Sequence, residues 1–245
     1  MNNNTVLVHR QQSRLDPSVE IGVFLTRRSR NSKTGSMPQA CIIRLDQHPL
    51  SGLKNGGDIA ICGHCKHRHN GATGTRSCYV VVAHGPGAIW RSWSQGRIRT
   101  VSPAGGAQFL AGLRVRLGSY GDPAAIDPDV WRTLLAPTSG RTGYTHQWTH
   151  ASIQDLVMAS VDTPAEQAAA AARGYRTFRV RSEGEPLLAG EITCPASDEA
   201  GHRTTCLQCG LCDGSRGPSD HRKNIAIIVH GQGARSFVTL QSLTS

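Results

Sequence analysis

The chain has 245 residues, with 27 lysines and arginines against 17 acids, a formal net charge of +10 and eight cysteines. That length allows one large domain or two small ones with a core that needs no staples. No window approaches eighteen uninterrupted apolar residues, and Met1-Asn-Asn-Asn4 lacks the charged start and apolar stretch of a signal peptide, so a soluble cytoplasmic protein with no membrane partner is expected.

Residues 1–38 are polar and basic, broken by Asp16-Pro17, Gly35 and Met37-Pro38, and read as a partly ordered arm in which only Val19 to Leu25 suits a strand. The Arg- and Ser-rich stretch from Thr26 to Lys33 follows Asp16 and Glu20 inside the chain, which argues against a transit peptide. The core is expected over residues 39–190. It opens with a strand at Gln39 to Leu45, and Asp58-Ile-Ala-Ile-Cys62 reads as a short buried strand delivering the first cysteine pair. Pro86 to Gln95 carries Ile89, Trp90 and Trp93 at helical spacing, stopped by Gly96.

Leu113-Arg-Val-Arg-Leu117 alternates as a strand does, and Asp127-Pro128 is an N-cap followed by proline at the first helical position, opening a helix through about Leu135. The clearest unit runs from Leu156 to Val180. An apolar strand through Val161 is followed by the capping box Thr163-Pro-Ala-Glu166, an alanine-rich helix, Gly174 as its stop and a second strand. Such a crossover builds parallel sheet, so the expected fold is α/β, either open or closed into a full or partial barrel. Residues 191–245 are expected to hold the second cysteine set and, in the apolar run Ile225 to Val229, a closing strand.

Eight cysteines are an even number, yet close Cys-x-x-Cys spacing in a chain of this size favours metal over a disulfide framework. Cys206-Leu-Gln-Cys209-Gly-Leu-Cys212, with Cys194 upstream, supplies the four thiolates of a [4Fe-4S] cube, and Gly210 and Gly214 let the backbone wrap it closely. A four-cysteine zinc knot needs as many thiolates but arranges them as two separated pairs. The earlier set, Cys62-Gly-His-Cys65 and Cys78, has three thiolates and no evident fourth. It suits either a cube with one iron open to a small molecule or a zinc site completed by His64, His67 or His69, with Cys41 as a further candidate ligand. One [4Fe-4S] cluster is thus expected, with room for a second.

Tyr120, Gly121 and Asp122 lie just beyond a strand, where α/β folds collect their functional groups, although Gly-Asp-Pro is also a turn sequence in which Asp accepts backbone hydrogen bonds. Thr145, His146, Gln147 and Trp148 follow another strand, and a histidine there suits a proton donor or a cofactor contact. Ser160 and Asp162 end the next strand, Asp162 alternatively supporting the helix start. Asp122 and His146 are therefore the catalytic candidates, and Tyr120, Gly121, Thr145, Gln147, Ser160 and Asp162 the cofactor-binding ones. The net charge points to an anionic partner such as nucleic acid or a nucleotide. Its candidate phosphate-binding face comprises Arg27, Arg28, Arg30 and Lys33, then Lys66 and Arg68, then Arg91, Arg97 and Arg99.

The blocks Lys33-Thr-Gly-Ser-Met-Pro-Gln39, Asp58-Ile-Ala-Ile-Cys62-Gly-His-Cys65, Cys78-Tyr79, Gly118-Ser-Tyr-Gly-Asp-Pro123, Thr142-Gly-Tyr-Thr-His-Gln-Trp148, Met158-Ala-Ser-Val-Asp162 and Cys194-Pro-Ala with Cys206 to Cys212 resemble those of small phage-encoded iron-sulfur proteins. That group itself resembles the radical S-adenosylmethionine superfamily. The likeness runs from about residue 33 to 230. It implies a partial (βα) barrel with parallel strands and two cysteine-rich metal-binding loops, the N-terminal cysteines near its first strand and an auxiliary cluster near its C-terminus. It also implies S-adenosylmethionine as a cofactor, an electron donor as a partner and the host cytoplasm as the location. The usual superfamily motif is Cys-x-x-x-Cys-x-x-Cys, whereas Cys62, Cys65 and Cys78 put the short gap first and a long basic insertion second. The aromatic residue after the third cysteine, Tyr79, is retained.

The function expected on these grounds is that of a radical-SAM-like enzyme acting on nucleic acid or a nucleotide. In that reading Cys62, Cys65 and Cys78 hold an open-site cube and the C-terminal cluster relays electrons or stabilises the fold. Two other readings stand beside it. One is a non-catalytic, metal-stapled nucleic-acid-binding protein, and the other a base-exchange enzyme on a barrel with structural zinc and Asp122 as nucleophile.

Overall fold

Residues 4–29, 31–69, 74–231 and 233–242 are described by the structure, a computed structural model. Strands β1 (Thr5–Gln12) and β2 (Glu20–Thr26) pair antiparallel, and β2 pairs in the same sense with β3 (Gln39–Arg44). Val6, Leu7, Val8, Ile21, Val23, Phe24 and Leu25 are all buried. The arm expected over residues 1–38 therefore gives way, between Thr5 and Thr26, to two strands of the first sheet. Thr5-Val-Leu-Val8 escapes a period-2 pattern because consecutive residues are buried, and polar His9-Arg-Gln-Gln12 follows it at once.

After β3 come α1 (Pro49–Asn55) and a single helical turn, α2 (Ile59–Cys62). Asp58 to Cys62, expected as a strand, thus turns helically, with Cys62 N–H donating to Asp58 O at 2.9 Å and Gly63 N–H to Ile59 O at 2.8 Å. Four apolar residues are too few to fix a period. Helix α3 (Gly85–Ser94) packs Trp90 and Trp93 against the core and ends before Gly96, which has φ +68. Strand β4 (Arg99–Thr100) pairs parallel with β1, and α4 (Pro103–Leu110), capped by Ser102, leads into β5 (Arg114–Tyr120). Helix α5 (Pro128–Leu135) begins at its Asp127 cap, and its Trp131 is fully buried. With β6 (Gly140–Thr142) the first sheet is complete in the order β4-β1-β2-β3-β5-β6, with β3, β5 and β6 mutually parallel.

One residue later β7 (Tyr144–Thr145) begins a second sheet. Strand β8 (Met158–Val161), helix α6 (Pro164–Ala172) and strand β9 (Thr177–Arg181) form the crossover that the sequence indicates. Thr163 and Glu166 make both bonds of the capping box, and β8 and β9 pair parallel. Strand β10 (Glu191–Thr193), the turn α7 (Cys206–Cys209), strand β11 (Asn224–Ile228) and helix α8 (Ala234–Ser242) complete the chain. The sheet order is β10-β11-β9-β8-β7, parallel throughout. The fold is thus α/β with parallel strands in both sheets. Among the described residues no helix is long and apolar enough to cross a membrane.

Gly143 is the one residue between the two sheets. Its N–H donates to Cys212 O at 3.1 Å, and its carbonyl accepts from Met158 N–H at 3.0 Å. A β-carbon here would lie 2.8 Å from Val157 Cγ1 and 3.0 Å from Leu117 Cβ, closer than packing allows.

In the second sheet, Arg179 of β9 is buried and forks onto Glu191 of β10, with Nε to Oε1 at 2.9 Å and Nη2 to Oε2 at 2.8 Å, and also donates to Pro186 O at 2.9 Å. Removing one member of such a pair strands a buried charge, which costs more than replacing both with apolar groups. Glu191→Ala is expected to lower the unfolding free energy by about 3–5 kcal/mol in a denaturant titration. The Arg179→Met, Glu191→Leu double variant should lose clearly less.

Candidate metal and cofactor site

A cavity of about 290 Å³ opens on the faces of both sheets, near the lower end of the size range for small-molecule sites. Alternate residues of single strands line it, Arg116, Gly118 and Tyr120 from β5, Phe178 and Val180 from β9, and Ile225 and Ile227 from β11. That spacing puts one face of each strand toward the cavity. Cys62, Cys65 and Cys78 line it together with Cys194, Cys206, Cys209 and Cys212. All eight cysteines are free thiols, and Cys41 lies outside the cavity, with its Sγ 3.1 Å from Ser119 Oγ.

The first set is held by hydrogen bonds to its own backbone. Cys62 ends α2, and Arg68 folds back on that turn, reaching Asp58 Oδ1 through Nε at 2.9 Å and Nη2 at 2.5 Å, Gly56 O at 2.7 Å and Gly63 O at 3.2 Å. Gln147 Nε2 donates to Cys62 O at 2.9 Å, and His64 N–H donates to Gln147 Oε1 at 3.4 Å. Gly63 sits against that amide at φ +56, where a β-carbon would be 2.5 Å from Oε1. Cys78 N–H donates to His67 O at 2.9 Å, which closes the long insertion.

The second set is tied down by arginines that donate to loop carbonyls. Cys206 N–H donates to Lys33 O at 3.0 Å, and Arg114 Nη1 reaches Leu207 O at 2.9 Å over Gly210, where a β-carbon would collide with it. Arg176 Nη1 donates to Leu211 O at 2.8 Å and its Nη2 to Lys223 O at 2.6 Å. Cys194 N–H bonds Ala226 O at 2.8 Å, and the Tyr144 hydroxyl is hydrogen-bonded to the Cys212 thiol.

Burial pushes the Cys65 and Cys212 thiols up to about 12, and those of Cys62, Cys78, Cys194 and Cys206 in the same direction. Burial in an apolar wall favours the neutral thiol, and a metal bound by such thiols would have to displace their protons. Among the described residues no group of three or more His, Cys, Asp or Glu side chains is placed to hold one metal ion. A cube makes a different demand. Each of its irons takes its own thiolate, so the ligands line a shared cavity instead of converging on a point.

The chain matches no family model, no curated protein and no solved structure.

Of the sequence-derived candidates, Tyr120, Gly121, Asp122, His146 and Ser160 line the cavity, whereas Thr145, Gln147 and Asp162 stand behind its wall. Asp122 is buried and both of its oxygens are engaged. Oδ1 accepts from Thr145 Oγ1 at 2.7 Å and Ala124 N–H at 3.0 Å, and Oδ2 accepts from His146 N–H at 2.7 Å. Burial raises its pKa, opposed by the charge of His146 and by these bonds. Asp162 pairs with Lys66 at 2.9 Å and His67 Nε2 at 2.8 Å, while His67 Nδ1 lies 2.7 Å from Ser77 Oγ. Both ring nitrogens of His67 are thus occupied. His64 is exposed, and neither it nor His69 lines the cavity.

The basic candidates do not form one face. Lys66 and Arg68 sit in ion pairs, Lys33 lines the cavity, Arg27 donates to Phe109 O and stacks on its ring, and Arg28, Arg91, Arg97 and Arg99 are exposed. Arg30 lies outside the described residues. Arg116 and Tyr144 are site residues that sequence reasoning missed. The signal for Arg116 was its place in Leu113-Arg-Val-Arg-Leu117, because a parallel strand covered on both faces has no solvent side for a charge.

Because Asp122 braces the turn that carries β5 into the cavity, its loss is expected to be structural. Asp122→Ala leaves two backbone donors and a hydroxyl unmatched in the interior, and should destabilise the fold by about 2–4 kcal/mol in chemical denaturation. A variant as stable as wild type would instead free Asp122 for a chemical role.

Proposed function

We propose that the protein is an iron-sulfur enzyme of radical-SAM-like type. Its parallel strands from β3 through β5, β6, β7, β8 and β9 would form the wall of a partial (βα) barrel. The observation that carries this reading is that seven cysteines, three from one sequence motif and four from the other, line one cavity. The donor set fits [4Fe-4S] clusters on two counts: thiols without disulfide partners, and apolar burial that makes bare thiolates costly. Cys194, Cys206, Cys209 and Cys212 would hold a closed cube, and Cys62, Cys65 and Cys78 one with an open iron. Such a cube, when bound, would supply an electron for reductive cleavage of S-adenosylmethionine.

The chain's own residues prepare the site. Gln147 fixes the carbonyl of Cys62, Arg68 holds the turn behind Cys62 and Cys65, and Asp122 anchors the backbone of His146. His146 and Ser160 present polar groups to a wall that is otherwise largely apolar, and such a wall excludes water from reactive chemistry. Zinc at the first set has less support, since His67 is already bound at both nitrogens. The base-exchange reading is likewise weakened by the engaged oxygens of Asp122.

Protein purified without oxygen is expected to be brown, with iron and acid-labile sulfide in comparable amounts, and Cys209→Ala should lower both. Reduced and mixed with S-adenosylmethionine, wild type should change its electron paramagnetic resonance signal and release 5′-deoxyadenosine or methionine. A Cys62→Ala, Cys65→Ala variant should do neither. Stoichiometric zinc without sulfide would overturn the reading. Full clusters that ignore S-adenosylmethionine, even with nucleic acid present, would favour the non-catalytic binding protein.

Nucleic acid or a nucleotide as substrate rests on the net charge of +10. Affinity for single- or double-stranded nucleic acid should then fall steeply with added salt, and neutralising Arg27, Arg28 and Arg30 together should flatten that slope. An absence of association with DNA, RNA or nucleotides at low salt would remove this partner.

A further inference from the structure

The charged groups around the two cysteine sets differ in how they are paired. Near Cys62, Cys65 and Cys78, acids and bases are mixed and mostly matched. Asp58 is held by Arg68, Asp162 by Lys66 and His67, and Asp122 by three hydrogen bonds, while Arg76, with no carboxylate partner among the described residues, donates to Val80 O at 2.8 Å, so that the acids Asp58, Asp122 and Asp162 are balanced by Lys66, Arg68 and Arg76. On the Cys194 and Cys206 side stand Lys33 and Arg116, which have no carboxylate partner among the described residues. Lys33 Nζ has a 3.4 Å contact with His230 Nε2, and Arg116 Nη2 donates to the Tyr79 hydroxyl while its Nε is buried without an acceptor.

Two unmatched cations in one apolar cavity repel each other, and each charge in such surroundings needs an anion nearby. Lys33 and Arg116 line the same cavity as Cys194, Cys206, Cys209 and Cys212. The backbone ties Lys33 to that set, since Lys33 O accepts from Cys206 N–H at 3.0 Å. The hydroxyl of Tyr144 adds a hydrogen bond to the Cys212 sulfur.

We propose that Lys33 and Arg116 are the charge partners of the C-terminal four-thiolate site and make it the higher-potential of two centres, the one on which an electron rests. This inference rests on the iron-sulfur reading above. A cube with four thiolates is anionic, and reduction adds a further negative charge. Nearby cations and hydrogen bonds to sulfur therefore favour the reduced state. In that half-reaction one electron enters from an external donor, dithionite in the experiment, which is oxidised by losing it. No bond is made and no proton moves. The first set, with matched charges around it, lacks this stabilisation and stays the stronger reductant.

The test is a redox titration of anaerobic full-length protein followed by electron paramagnetic resonance. The first-set signal is identified by its loss in Cys62→Ala, Cys65→Ala. In wild type the C-terminal centre should reduce first. Lys33→Gln and Arg116→Gln should each move its midpoint to lower potential, their combination further, and Arg116→Lys should stay near wild type. The first-set midpoint should move less in every variant, with iron and sulfide contents unchanged. Full clusters with an unmoved C-terminal midpoint would overturn this inference alone, and would do so equally if Arg116→Gln instead abolished binding of pyrophosphate, which would make the cations a substrate-anion site. Wild type without iron and sulfide would overturn the proposed function and this inference with it.

Discussion

The stretch from Gly140 to Thr145 belongs to both sheets, and the rest of the site depends on the close approach at its middle. The Gly143 N–H goes to the loop that carries Cys212, and its carbonyl goes to the start of β8. The absent side chain lets Val157 and Leu117 meet across it. The cysteine loop, the end of one sheet and the start of the other are therefore fixed at one point. Any residue with a β-carbon would push apart the wall that brings the two cysteine sets into one cavity.

Within that frame the cavity reconciles two opposed demands. Six of the thiols are pushed toward their neutral form by burial, yet each is positioned by bonds to its own or adjacent backbone, so the loops keep their shape without relying on charge at sulfur. A cavity wall preorganised this way would lose little conformational entropy on binding any ligand. The polar candidates Thr145 and Gln147 serve that preorganisation from behind the wall and Asp122 from within it, while His146 and Ser160 also line the lumen.

Much of this was legible in the sequence where local chemistry decides the outcome. The capping box at Thr163 and Glu166, the Asp127 cap and the stops at Gly96 and Gly174 all act through neighbours a few residues away, and the structure has them as expected. The seven cysteines of the two motifs line one cavity, a meeting of the two sets that their spacing did not indicate. What failed was non-local. Strand β1 is defined by burial on both faces next to β2 and β4, and Asp58 to Cys62 turns helically under the hold of Arg68 from beyond the cysteine pair. Neither contact leaves a periodic trace. The basic residues, read as one phosphate-binding face, are divided between ion pairs, the cavity and the surface, because charge counts carry no direction.

That division follows a repeated device. Arg68, Arg114, Arg141, Arg173, Arg176 and Arg222 each donate to main-chain carbonyls of irregular segments, Arg141 to Leu156 O at 3.0 Å and Arg173 to Trp148 O at 3.0 Å among them. A planar guanidinium can serve two or three carbonyls that point in different directions, whereas an ammonium is a compact charge on a flexible stem. Arginine-to-lysine drift, usually the mildest exchange between basic residues, would at these positions keep the isoelectric point and open the loops. Selection on this chain would then act against substitutions that a charge-based view counts as silent.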